Sequence, residues 1–172
     1  MPDLAEQVST GVELGAAAII IAEDVAGSSG PLLDPGFTLR ELVPRAGQLA
    51  EIAHRYSVAT AFHSDGDVRF ALSALRQQGF SAVHPGGLGH FDLEGFTREA
   101  ALWDIAVIGG IDGEALRSQI SPHTMRERLL ALTRCGKVLL ADDGGMTTTE
   151  ELANFEILLR AWRAAQGDEE AK

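Results

Sequence analysis

The chain has 172 residues, 45% of them hydrophobic, and carries a net charge of −11 from 25 acidic against 14 basic side chains. That length can bury one sizeable core, and the charge argues against nucleic acid or an anionic membrane surface, both of which need a basic footprint. A single cysteine, Cys135, excludes an internal disulfide and a multi-thiolate zinc site, and it fits a reducing cytoplasm.

Helix and strand signals then alternate along the chain. Leu4, Val8, Val12 and Leu14 fall near one helical face over 3–14, with Gly15 as a stop. Ala17-Ala18-Ile19-Ile20-Ile21-Ala22 reads as a strand apolar on both faces, as a buried parallel strand would be. A glycine, serine and proline loop follows, then a helix near 38–56 with Leu39, Leu42, Leu49, Ile52 and Ala53 inward. The second strand covers 58–63, and Asp67 caps a helix carrying Val68, Leu72, Leu75 and Arg76 that ends at Gly79.

Residues 80–83 make the third strand, and a less regular stretch leads to a helix near 92–102. The fourth strand is 105–108. Ser121-Pro122 opens a helix in the favoured cap-then-proline order, with Met125, Leu129 and Leu132 inward and Gly136 at its end. The fifth strand is 138–141. The last helix opens at 147–149, with Glu150 and Glu151 in its first turn and Leu152, Phe155, Leu159 and Trp162 as its buried stripe. The polar tail 166–172 is expected to fray. No run reaches the roughly 18 to 20 apolar residues of a membrane span, and Met1-Pro2-Asp3 shows no basic-then-apolar leader.

One helix followed by five strand-helix units predicts an α/β fold with a parallel sheet in a single domain. The pattern leaves two options: a (βα)5 partial barrel, or an open five-stranded doubly wound sheet. Either way ligands belong at the carboxyl ends of the strands, and polar clusters stand there: Glu23-Asp24, His63-Ser64-Asp65-Gly66, His84-Pro85-Gly86-Gly87, Gly109-Gly110-Ile111-Asp112 and Asp142-Asp143-Gly144-Gly145.

His63 and Asp65 lead these candidates. Residues i and i+2 of a strand share a face, and imidazole plus carboxylate suits zinc or another divalent ion. Asp142 or Asp143 supplies a third oxygen in this reading. Glu23 or Asp24 orients a substrate or acts as a general base. Asp112 contacts substrate or caps the helix that begins near Glu114. His84, held extended by Pro85, is placed to donate a proton near neutral pH. His90 sits on an irregular loop, and His54 and His123 lie on helices away from the strand ends. The paired glycines lack the order of a nucleotide-binding loop.

Six segments also resemble, in order and spacing, the uroporphyrinogen decarboxylase superfamily, which includes the corrinoid-dependent methyltransferases. They are Ile20-Ile21-Ala22-Glu23-Asp24-Val25-Ala26-Gly27, Leu33-Asp34-Pro35, Phe62-His63-Ser64-Asp65-Gly66, Val83-His84-Pro85, Ile108-Gly109-Gly110-Ile111-Asp112 and Leu140-Ala141-Asp142-Asp143-Gly144-Gly145. The resemblance implies the carboxyl-terminal half of an eight-stranded barrel. The absent half would carry an arginine-rich substrate loop and the aspartate that decarboxylases use on pyrrole nitrogens.

Two departures matter. The zinc methyltransferases carry His-x-Cys-Gly where this chain has His63-Ser64-Asp65-Gly66, and their later cysteine falls at Gly144. A decarboxylase would have a serine at Asp24 and a histidine at Gly144. The expectation is therefore a metal-assisted, methyltransferase-like enzyme acting on a small molecule or a corrinoid. Its catalytic residues are Asp24 and His84, its substrate contacts Glu23, Asp112 and Asp142, and its metal ligands His63, Asp65 and Asp143, with zinc the foremost ion. The alternatives are a metal-free decarboxylase-like enzyme of tetrapyrrole metabolism, or a non-catalytic half-barrel. A half-barrel leaves two strand edges open, so a homo-oligomer or a complementary half-barrel chain is expected as partner.

Overall fold

The structure, a computed structural model, describes residues 3–27, 29–86, 92–111, 113–117, 121–142 and 144–165. His90, Asp112, Asp143 and the tail 166–172 lie outside them. Helix α1 (Leu4–Glu13) precedes strand β1 (Ala18–Ala22), and β2 (Ala26–Gly27) pairs antiparallel with β3 (Gly30–Pro31). Then come α2 (Pro35–Phe37), a π-helical stretch (Thr38–Leu42), α3 (Val43–His54), β4 (Ala59–Asp65), a 3-10 turn (Arg69–Ala71) and α4 (Leu72–Gln77). The remainder is β5 (Ala82–Gly86), α5 (Leu93–Leu102), β6 (Ala106–Ile111), α6 (Gly113–Arg117), α7 (Pro122–Cys135), β7 (Val138–Asp142) and α8 (Thr149–Ala165).

Local chemistry fixes the helix starts. Asp3, Asp34, Asp92 and Ser121 each accept a backbone N–H three residues on, from Glu6, Phe37, Gly95 and Thr124. Helix α8 opens with a reciprocal cap: Glu151 N–H donates to Thr148 Oγ1 at 3.1 Å, and the Glu151 carboxylate accepts from the amides of Thr147 and Thr148.

Five parallel strands form one sheet in the order β1-β4-β5-β6-β7. The register aligns Ile21 with Phe62, Phe62 with Val83, and Val83 with Val107. Those four belong to one core with Val43, Ala46 and Ala50 of α3, Leu72 and Leu75 of α4, and Phe96 and Ala100 of α5. Phe62 meets Phe80 edge-to-face at 5.6 Å, and burying each such ring stabilises by roughly 1.5–3 kcal/mol. A second cluster joins Met125, Leu129 and Leu132 of α7 and Leu158 of α8 to Val138 and Leu140. Val138 is in register with Val107, so α7 and α8 continue the same layer.

The five helices therefore cover one face, as in a partial barrel; a doubly wound sheet would carry helices on both. Among the described residues the sheet does not close, and β1 and β7 are its edges. The opposite face carries Ile20, Ala61 and Ala82 in one register line and His63 with His84 in another.

The structure corrects several details. β1 is not buried on both faces: as an edge strand it leaves Ile20 55% exposed, and only Ile21 is buried. The long helical stretch begins earlier, at Pro35; Ala53 is buried and Leu39, Leu42 and Leu49 pack against the core as expected, while Val43, Ala46 and Ala50 are further buried positions. The third strand starts two residues late because Phe80 is drawn into the core. In α8, Phe155 and Trp162 pack against the core as expected, but the most buried positions are Glu151 and Leu158, and Leu152 is exposed.

Candidate functional site

Strands β1 and β4 end side by side. Their register pairs Ala22 with His63, and Glu23 N–H donates to the His63 carbonyl at 3.0 Å, prolonging the ladder. Ser64, fully buried, then takes over from the sheet. Its Oγ accepts the amides of Val25 and Ala26 at 3.0 and 3.2 Å and donates to the Asp65 carbonyl at 2.9 Å. Asp24 Oδ1 in turn accepts the Asp65 amide at 3.0 Å. Gly66, at φ +79°, packs against the Gly27 carbonyl so closely that a Cβ would overlap it. The loops after β1 and β4 are thus fastened to one another through backbone amides.

That fastening brings one ligand atom each of Asp24, His63 and Asp65 within 4.8 Å of one another. Both carboxylates are exposed and His63 is half-buried. His63 Nδ1 lies 3.1 Å from the His84 carbonyl. A carbonyl can only accept, so Nδ1 carries hydrogen, and Nε2 faces Asp65 Oδ1, 3.9 Å away. Among the described residues, neither aspartate has an ion pair with lysine or arginine. Two of the three side chains, His63 through Nδ1 and Asp24 through Oδ1, are thus oriented by protein groups, as the ligands of metal ions commonly are.

The other strand ends behave differently. His84 Nε2 donates to the Asp142 carbonyl at 3.1 Å, and its ring lies against His63 with centroids 4.8 Å apart. Asp142 Oδ2 accepts the Gly145 amide, closing the turn after β7. Toward the end of β6, Gly109 and Gly110 take φ of +148° and +105°, and the strand closes on the buried Ile111.

Of the expected site residues, His63 and Asp65 stand together and His84 packs beside them. Asp24, expected as a general base, shares their cluster, in the place given to Asp142 or Asp143 as third oxygen. Glu23 is exposed at the same rim, and Asp142 directs its carboxylate to its own turn. His54, on α3, hydrogen-bonds Thr60 Oγ1 at 2.9 Å, away from the rim. Sequence reasoning missed Ser64. It also missed that β1 and β4, as neighbours, bring Asp24 opposite Asp65, which a register of Ala22 on His63 would have given.

No family model matches the chain, and no curated protein matches its sequence. Solved structures do. A methyltransferase from Methanosarcina mazei superposes over 94% of this chain with a TM-score of 0.71 at 19% identity. The match takes in 46% of that protein, so the chain spans about half of its length. A dihydropteroate synthase from Stenotrophomonas maltophilia superposes over 98% of this chain and 73% of its own, with a TM-score of 0.54 at 20% identity. Both likenesses concern the fold, which is that of barrel enzymes left open.

Proposed function

We propose that this chain belongs to a barrel enzyme of methyl-group transfer that works with one divalent cation, zinc foremost, held by Asp24, His63 and Asp65. The observation that carries the reading is the convergence of those three donors within 4.8 Å at the carboxyl ends of two adjacent parallel strands. Neighbouring ligands of a tetrahedral ion with bonds of about 2.1 Å stand about 3.4 Å apart. The 3.9 Å between His63 Nε2 and Asp65 Oδ1 is near that, and an exposed carboxylate can rotate to close the difference. Three protein ligands also leave a coordination position open, as catalytic sites do and structural ones do not.

A bound cation would supply Lewis-acid activation of the methyl acceptor, a thiol or another small nucleophile. Asp24 and Asp65 offset its charge, and His63 offers the neutral nitrogen. Glu23 and, by sequence, Asp112 are the substrate contacts, and Asp143, again by sequence, is a further oxygen after the fifth strand. A corrinoid as methyl donor or relay accords with the superfamily resemblance, and the fold likeness to a methyltransferase supports the same side of it. Metal-free decarboxylation of a tetrapyrrole has less support. A substrate bearing many carboxylates needs cations, yet Arg45, Arg69 and Arg98 are ion-paired with Glu41, Asp67 and Glu94.

Calorimetric titration with Zn²⁺ tests the reading. One ion per wild-type chain is expected, with binding at least about tenfold weaker in His63→Ala and Asp24→Asn. Methyl transfer from a methylcorrinoid to a thiol should fall with it. A wild-type chain that takes up no stoichiometric ion, together with unchanged activity in His63→Ala, sinks the proposal.

The open edges favour a companion reading, that a second polypeptide completes the barrel. Ile20 on β1 and Leu139 on β7 are 55% and 62% exposed, and an apolar groove of about 320 Å³ runs beside β1 between Leu4, Val8, Ile19 and Leu49. Unpaired apolar edges seek partners. A second copy or a complementary half would serve; a stable monomer in light scattering across micromolar concentrations speaks against the copy.

A further inference from the structure

We propose that His84 is a positioning residue that couples the cation site on β1 and β4 to the turn after β7, so that two distant ends of the sheet act as one site. The inference rests on the cation reading of Asp24, His63 and Asp65 and adds to it the means by which the rim is held together.

His84 reaches both ways. Its backbone carbonyl receives Nδ1–H of His63 and thereby selects the tautomer whose Nε2 is bare. Its side chain goes the other way, donating Nε2–H to the Asp142 carbonyl at 3.1 Å. In the strand order β6 lies between β5 and β7, so this hydrogen bond spans a whole strand. The two imidazoles also touch, at 4.8 Å between centroids and 33° between planes. Asp142 is held at both polar ends, its carbonyl by His84 and its carboxylate by the Gly145 amide. A shift of His63 onto an ion therefore pulls on the His84 ring and, through it, on the turn that opens toward α8.

A general acid would turn Nε2–H toward the substrate space. Here that proton is directed at a protein carbonyl, which makes the role positional. Thermodynamic linkage then requires reciprocity: whatever orders the turn after β7 must tighten cation binding by the same factor.

The test uses His84→Ala, which removes the strap, and His84→Gln, whose terminal amide nitrogen can occupy the place of Nε2. Two quantities are measured in each protein: Zn²⁺ affinity by calorimetry, and hydrogen exchange at the Gly145 amide with and without Zn²⁺. In the wild type Zn²⁺ should slow that exchange, although Gly145 lies on another strand end. His84→Ala should bind Zn²⁺ about tenfold more weakly and lose the slowing, the size of effect outer-shell partners have on metal sites. His84→Gln should restore both to within about threefold.

Equal Zn²⁺ affinity in all three proteins, or slowing of Gly145 that persists in His84→Ala, overturns the proposal. Absence of Zn²⁺ binding in the wild type refutes the cation reading by itself. In that case the strap is judged from the metal-free proteins. Gly145 should exchange faster in His84→Ala than in wild type and His84→Gln, and equal rates in all three reject it.

Discussion

Asp104 at one end of the sheet and the Asp24–Asp65 pair at the other use their carboxylates in opposite ways. At the amino ends of the strands, Asp104 lies 2.6 Å from Lys137 Nζ and 3.3 Å from Arg76 Nη2, so its charge is answered by cations of the same chain. At the carboxyl ends, Asp24 and Asp65 stand beside the His63 imidazole, and among the described residues no lysine or arginine pairs with them. Their positions are nevertheless fixed, through backbone amides and a buried serine. Charge settled within the protein serves stability; charge left unanswered is, on the function proposed above, what a cation would meet. The same division separates the bottom and top of barrel enzymes in general.

The largest effect expected from breaking this contrast is at Ser64. Ser64→Ala leaves the amides of Val25 and Ala26, both buried, without their acceptor. At about 1–3 kcal/mol for each unpaired buried group, a loss on the order of 2–4 kcal/mol is expected in urea denaturation. A change below about 0.5 kcal/mol, the range of neutral surface substitutions, would show that the carboxyl rim is not held in this way. Next in size is the ion itself. Zn²⁺ at a hundredfold excess over its dissociation constant should stabilise the wild type by about 2.7 kcal/mol, and a chelator should reverse it. Asp24→Asn should abolish that gain while Asp104→Asn keeps it, which assigns the ligand-seeking charge to one rim alone. Smaller again is Thr148→Ala at the cap of α8. A loss of about 1 kcal/mol is expected, with the Glu151 amide exchanging faster.

The chain's alternation of helix and strand was legible because each parallel strand is short, apolar and bounded by glycine or a capping residue. Met125, Leu129 and Leu132 of α7 could be named from spacing alone, and all three are buried. What spacing could not convey was which strand is an edge. Ala18–Ala22 reads like an inner strand, yet among the described residues no strand pairs with its outer side, and Ile20 is exposed. At the candidate site, His63 and Asp65 were accessible through the period of a strand. Asp24 needed the neighbour relation between β1 and β4, which is a property of the sheet and not of any window of sequence. Ser64 escaped because a lone serine carries no signal until its acceptor role for two amides is seen. Thr148 and Glu151, by contrast, have the spacing of a reciprocal cap, and that signal was present in the sequence.

The smallest expected effect concerns the amino rim and pH. The hydrogen bond and charge of Lys137, with Arg76 adding to them, hold the Asp104 carboxyl below its ordinary value of 3.8. A carboxyl lowered in the folded state stabilises the fold at pH above its unfolded value, and that contribution disappears as pH falls through the lowered one. Wild type should therefore melt slightly above Asp104→Asn at pH 6, and the difference should close as pH falls below the ordinary value of 3.8 and through the lowered one. Asparagine is the suitable probe because residue 104 has φ +55°, a conformation asparagine tolerates, so charge changes while the backbone does not. Both side chains of the Asp104–Lys137 pair are largely exposed, so the difference should be small and should shrink in molar salt. Cation binding at the opposite rim should also weaken on acidification, for a separate reason: protons compete for His63 and the two aspartates. Asp104→Asn should leave that second dependence untouched, and a variant that shifts both would mean that the two rims are not independent.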